Sequence, residues 1–415
     1  MGEVAFSKLK AEELLKEAEK RMFFLGKRDL ASALSFENMR FGIGKMLYAL
    51  DDGNVICVFG PDATITRNIG RWNSGFGYGA VIRWSEKGIF FPEMKPNACG
   101  MTLVRIDELP SRDEILERIA EVENSELRLD GIRITPDFGK GNHFFEFYKV
   151  IEVSPDVEGK IAEDAFYAII HGSPQERKRE IYDMINEGEA IDTPLGKISV
   201  LSGSLAKRYY RMWLSYESFS KRRREFLVKE ILGKDVKVIS NLTHQGLFSE
   251  REIRLGCHDT MDKSYPKGKA LFPVALRWDC PLYIFKGREN LNEEVMERLD
   301  FKRRAEEVGL LDELKSINIL PHGGGYDILL PYSRISIKRT LIGNNFILSD
   351  EKPIARIEDI TRVKEGRLSR FGELVISNPH ELPYTYRGES VIREIMEYAL
   401  GKPVAKLQPL LTIKI

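Results

Sequence analysis

Apolar positions along the chain switch repeatedly between a helical period and short continuous runs, and the switches mark the elements. Residues 6–27 carry apolar positions every three to four residues, as an amphipathic helix does, and Gly26 supplies a stop. From Val55 to Leu109 the pattern becomes VICVFG, YGAVIRW, GIFF and MTLVRI, cut by Gly, Pro and Asn, which predicts strands. Residues 111–124 return to helical spacing behind a serine cap, with Ile115, Ile119 and Val122 on one face. Strands are expected at 131–135 and 143–153, and helices at 155–165 and 174–187, where Pro174 suits a first turn.

The longest predicted helix covers 204–232, with Leu205, Tyr209, Met212, Tyr216, Phe219 and Phe226 near one face. Strands at 236–242 and 252–257 read as a hairpin, and a proline-punctuated extended segment follows at 264–286. A charged helix at 291–315 lacks a clean apolar stripe, which predicts an outer position. A helix at 389–400 and the strand-like end VAKLQPLLTIKI close the chain. Strands and helices mix without regular βαβ alternation, so the expected class is α+β, mixed sheets flanked by helices. No repeat, low-complexity segment or obvious linker divides the chain. It reads as one domain over 1–415, with 1–50 a helical N-terminal extension.

Charge adds little direction. Lys+Arg and Asp+Glu both number 63, so any nucleic-acid contact must rest on local patches. One such patch is KRRR at 221–224, with Lys207, Arg208 and Arg211 before it. It reads as a solvated basic face or as a phosphate-backbone contact. No apolar run is long enough to cross a bilayer, and the charged start MGEVAFSKLK lacks the apolar core of a signal peptide, so the expected location is cytoplasmic, without a membrane partner. Four scattered cysteines make no disulfide framework.

Candidate chemistry changes the picture most. The run 138–147, FGKGNHFFEF, sets Asn142, His143 and Glu146 into an otherwise apolar strand behind two glycines. Buried polar groups need partners, so this stretch is either a hydrogen-bonded core or the edge of a site. His171 in IIHGSP, His244 in NLTHQG and His322 in LPHGGGYD likewise end apolar segments beside small residues, as does Cys99 in KPNACGM. Side chains at strand ends can converge on one pocket, and a thiolate with several imidazoles forms a metal-ligand set. Cys99, His143 and His171 are the first candidates. Gly323, Gly324 and Gly325 after His322 offer free backbone N–H groups to an anion, or merely a tight turn. His258 and His380 read as structural or surface residues.

The order of these pieces resembles the RtcB-type RNA ligases. KPNACGMTLVRID is similar to that family's DxNCGVRLLRT-like segment, GKGNHFFEF to GxGNHxxE, IIHGSP to HxGSR and LPHGGGY to HGAGR. DKSYPKG…PLYIFKG is similar to TRAFPPG…PVLIPGS, and VAKLQPLLTIKI to a VARLRPLGVVKG terminus. The likeness runs from about Gly70 onward. It implies a ligase joining RNA 3′-phosphate or 2′,3′-cyclic phosphate ends to 5′-hydroxyl ends with GTP and manganese, zinc being the other metal these donors suit. His322 would be the nucleophile that carries GMP. Cys99, His143 and His171 would hold one ion, and His244 with Cys99 a second. Asn142 would sit against phosphate, and Glu146 and Lys414 near the guanine.

The chain departs from the family pattern at several positions. Pro96 stands where the family has a metal-binding aspartate, leaving Asn97 as a substitute donor. Tyr326 replaces the arginine after HGxG, Pro174 or Gln175 the arginine of HxGSR, and Gln245 an asparagine. HDTM (258–261) stands in place of a basic stretch. Other metal-dependent phosphate or nucleotidyl-transfer chemistry, or metal-stabilised RNA binding without catalysis, therefore stay open beside ligation.

Overall fold

A computed structural model of the chain describes residues 5–85, 87–157, 160–262, 269–330, 335–341, 343–350 and 373–415. The fold is α+β, built on two large sheets. The larger has seven strands, every neighbouring pair antiparallel. Their spatial order is Lys237–Thr243, Gly100–Ile106, Phe166–Gly172, Phe144–Val153, Lys402–Ile413, Leu282–Lys286 and Leu271–Val274. The smaller runs Met22–Phe24, Ile56–Thr64, Tyr78–Arg83, Glu252–Leu255, Gln245–Ser249, and only its first pair is parallel.

Each sheet is covered on both faces, and the strand sequences show it. Ile56–Thr64 is buried at all nine positions. Alternate residues point to opposite faces. Cys57 and Phe59 therefore pack with Met39, Ile43 and Met46 of the helix Leu30–Leu50, while Ile56 and Val58 pack with Val295, Phe301 and Leu314. In the larger sheet, Val104, Phe145, Ala168 and Ile170 face the helices Arg112–Asn124 and Gly203–Leu232 through Ile115, Ile119, Phe219 and Leu227.

Several expectations need correction. Residues 6–27 do not form one helix. A 3-10 turn, Phe6–Lys8, and the helix Ala11–Lys20 precede a strand, Met22–Phe24, because MFF is apolar on every side and pairs with Ile56–Thr64. Helix Leu30–Leu50 escaped the periodicity reading for the same reason: apolar residues surround it, and Gly42 lies against the Gly75 carbonyl with no room for a Cβ.

The strand at 236–242 pairs with Gly100–Ile106 rather than with 252–257. The hairpin is instead Gln245–Ser249 with Glu252–Leu255. The segment 291–315 breaks into Glu293–Arg298, Phe301–Glu307 and Leu311–Lys315, with left-handed backbone at Asp300 and Gly309 between them. These short pieces bury Val295, Met296, Phe301, Ala305 and Leu314 in the core, so their position is not outer. At 155–165 the described residues form only the 3-10 turn Pro155–Val157, and residues 158 and 159 lie outside the described set. At 174–187 the helical reading resolves into Gln175–Arg177, Lys178–Tyr182 and Asp183–Asn186. Of the DKSYPKG segment, residues 263–268 are also outside the described set. No helix among the described residues is long and apolar enough to cross a membrane.

Candidate metal centre and nucleotide pocket

Strand order alone gathers the candidate ligands. Four adjacent strands of the larger sheet run antiparallel, so two begin and two finish at the same end. Cys99 and His143 precede the strands Gly100–Ile106 and Phe144–Val153, while His171 and His244 sit at the ends of Phe166–Gly172 and Lys237–Thr243. Gly100 pairs with both Gly172 and Thr243, and Phe144 with His171. The His244 N–H donates to the Cys99 carbonyl at 3.0 Å, closing the end of the sheet.

All four side chains are buried and meet around the Cys99 sulfur. Nε2 of His171 lies 3.1 Å and Nε2 of His143 3.5 Å from Sγ, and Nε2 of His244 lies 3.2 Å from that of His171. Cys99, His171 and His244 form the tight group, with ligand atoms all within 4.8 Å of one another. This differs from the predicted division, in which His171 paired with His143 on one ion and His244 served another.

A hydrogen bond on the far side of the His171 ring fixes which of its nitrogens carries the lone pair, and an acid stands behind His143. His171 Nδ1–H donates to the Asn142 carbonyl at 2.9 Å, and His143 Nδ1 lies 2.5 Å from Oδ2 of Asp137. Nε2 of His171 therefore presents a lone pair to the sulfur, and Nε2 of His244 faces it. A cation between these atoms would be held by all three. Burial first, and then the neighbouring imidazoles, hold His171 and His244 well below the ordinary histidine range, so neither supplies that charge as a proton. A buried carboxylate behind a histidine is also the usual support of a metal-binding imidazole. The residues fit a metal ion.

Burial opposes protonation of His143 as well, yet the Cys99 sulfur and the Asp137 carboxylate outweigh it and push its pKa up to about 10. A metal taking Nε2 must displace that proton. Metal affinity should therefore rise with pH, by about tenfold per unit for each proton displaced, up to the His143 value of about 10. Calorimetric titrations in two buffers of different ionisation heat count the protons, and His143→Gln should lower that count by one.

The basic run 221–224 divides: Lys221 and Arg222 lie on the solvent side, as a solvated face requires, while Arg223 and Arg224 do not. Arg223 and Arg224 are fully buried on the sheet side of Gly203–Leu232. Arg224 donates to the carbonyls of Ala98 and Gly172, holding the strand ends that carry Cys99 and His171. Arg223 bonds Oδ1 of Asp137 at 3.1 Å and Glu176 at 2.9 Å, and so fixes the carboxylate behind His143. Lys221 and Arg222 pair with Glu217 and Asp130.

The side-chain oxygen of Asn97 accepts the Cys99 N–H at 3.0 Å and so holds the backbone that carries the sulfur. Pro96 and Asn97 thus leave the described ligand set without a carboxylate. His258 is buried, its pKa held to about 3 chiefly by burial, and it bonds through Nε2 to the Pro273 carbonyl with its ring edge-on to that of His244. His380 lies apart, beside Tyr384.

A pocket opens next to the cluster, with about 990 Å³ of space between its walls, its open mouth included. Its lining gathers Asn142, Glu146, His171, His322, Gly323, Gly324, Gly325 and Lys414. Pairing of the last strand with Phe144–Val153 sets Thr412 opposite Glu146, and Gly139 is glycine because the chain end at Lys414 and Ile415 passes within 2.9 Å of where a Cβ would sit. Glu146 accepts from the hydroxyls of Tyr148 and Thr412; burial raises its pKa, opposed by those hydroxyls and Lys414. The three glycines are required by packing as well, since a Cβ at each would strike a backbone carbonyl, of Ala275, Arg387 and Asp62 in turn.

His322 Nδ1–H donates to the Gly256 carbonyl at 2.5 Å, and Asp62 Oδ2 lies 3.6 Å from the same nitrogen. The ring lies 4.0 Å from that of His244, tilted to it by 31°. No family model matches this chain, and no curated protein matches it.

Sequence reasoning missed Asp62, Asp137, Arg223 and Arg224. Asp62 had a usable signal, an acid inside the apolar strand run ICVFGPDAT. So did Arg223, one heptad after buried Tyr216 on the same helix face. Asp137 had none beyond its place just before the glycines.

Proposed function

We propose that this chain is a metal- and GTP-dependent RNA ligase, joining a 3′-phosphate or 2′,3′-cyclic phosphate end to a 5′-hydroxyl end through a guanylylated His322. The observation that carries the reading is the tautomer of His322. Its Nδ1–H is committed to Gly256, so Nε2 holds the lone pair in a ring that lines the pocket beside the cysteine–histidine cluster. Attack by Nε2 on the α-phosphorus forms the P–N bond, breaks the bond to the bridging oxygen and releases pyrophosphate. Positive charge then develops on the imidazole, where the Asp62 carboxylate and Gly256 carbonyl offset it.

Cys99, His171 and His244 would hold the metal, with His143 on the same sulfur; manganese is the ion the resemblance implies, and zinc suits the same donors. A bound ion would supply Lewis-acid charge to the phosphates. Glu146, oriented by Tyr148 and Thr412, would accept from the guanine N1 and N2 hydrogens, with Lys414 beside it. Tyr326 in place of an arginine favours a second reading, nucleotidyl transfer to another acceptor.

The test is incubation with α-labelled GTP and manganese. Acid-labile, base-stable label is expected on the wild type and none on His322→Ala. Label that survives the substitution would sink the nucleophile. Label without sealing of RNA ends would select the second reading.

A further inference from the structure

The chain has four tryptophans, and three of them, Trp72, Trp84 and Trp213, are each 1% exposed; Trp278 is 65% exposed. It is not loose surface, because it lines the same pocket as His322. The turn that carries it is tied to the His322 strand. The Ala275 N–H donates to the His322 carbonyl at 3.0 Å, Ala275 bridges Gly323 in parallel, and the Cys280 N–H returns to the Arg277 carbonyl at 2.8 Å. Arg277 is locked onto Asp279 by two bonds. A large indole thus stands in water on a turn tied to the strand of the candidate nucleophile, with no ring or cation stacked on it among the described residues.

Glu146, the group suited to a guanine edge, is 4% exposed, whereas Trp278 on the same pocket is 65% exposed. A second base, not the one Glu146 reads, is the occupant that fits. Arg67 completes the chemistry. It is an exposed guanidinium on the pocket wall beside Tyr326, and it has no carboxylate partner among the described residues. Aromatic faces that stack bases, next to a cation for the backbone, are how single strands are held without reading their sequence.

We infer that Trp278 is a stacking platform for a base near the reacting end of a single-stranded RNA, with Arg67 taking a neighbouring backbone phosphate. This rests on the ligase reading for the identity of the RNA end, but its failure is separable. The exposed indole also provides its own probe, since the other three tryptophans are shielded.

The experiment titrates the full-length protein, without GTP, with a 3′-phosphorylated single-stranded oligoribonucleotide. Tryptophan emission and the anisotropy of a labelled RNA are followed together. Quenching is expected in the wild type. Trp278→Ala should lose the quenching and raise Kd roughly tenfold to a hundredfold, the range of one stacked base. Trp278→Phe should restore most of the affinity without the signal, and Arg67→Ala should flatten the salt dependence of binding. An unchanged Kd in Trp278→Ala overturns the inference, as does equal quenching by duplex RNA. Quenching by GTP alone that RNA cannot add to would make guanine the occupant and overturn it as well. If His322 never takes label while these RNA effects hold, the ligase reading fails and the platform stands.

Discussion

Cys99→Ala is expected to abolish tight metal binding, because every other candidate ligand is arranged around its sulfur. Purified wild type should bind metal in a fixed ratio, and the variant should retain almost none after dialysis. The loss should also appear as stability. A ligand at a thousandfold excess over its Kd stabilises the folded state by about 4 kcal/mol. Wild-type protein should therefore unfold at lower urea concentration after chelation, while the variant should be indifferent to the chelator. Unchanged metal content in Cys99→Ala would exclude the sulfur as an essential ligand.

Arg223→Met should be the most damaging single change outside the ligands. It strands two carboxylates, Asp137 and Glu176, against a buried position. Removing one partner of a buried ion pair costs about 3–5 kcal/mol. Urea unfolding should show a loss of that size, and Arg223→Met with Asp137→Asn should recover part of it, a coupling that distant residues would not show. Metal affinity should fall too, by about tenfold to a hundredfold, because Asp137 loses its hold behind His143.

The pH dependence follows. Burial would raise the Asp137 carboxyl, but Arg223 and His143 outweigh it and hold it below its ordinary range. Its stabilising contribution is present above the unfolded carboxyl value of about 4 and lost as pH falls below it. The Arg223→Met variant should lose stability less steeply in that acid window.

Much of the α+β class and most of the long elements were legible, because strands covered on both faces read as apolar runs between Gly, Pro and Asn, and the helix Gly203–Leu232 writes its period into the sequence. Elements without a period were not. Leu30–Leu50 is buried all round, and the three short helices after Glu293 change direction at two left-handed residues. The candidate ligands were legible by residue type and by their places at strand ends. Their grouping was not, since it depends on which strands are neighbours, and the misassigned hairpin hid the pairing that brings His244 to Cys99. Arg223 and Arg224 were misread because a run of four basic residues hides that a helix sends alternate pairs to opposite sides.

The ligands stand far apart in the chain, with separations of 44, 72 and 73 residues between contacting members. Contacts of that range carry a large loop-closure cost, so they are expected to form late in folding. A metal ion would then find no complete site in the transition state for folding. Stopped-flow measurements should show refolding at the same rate with and without metal, and unfolding slowed by nearly the whole of the metal's stabilisation. The ion would govern how long the native state survives, and leave the speed of its formation to the chain.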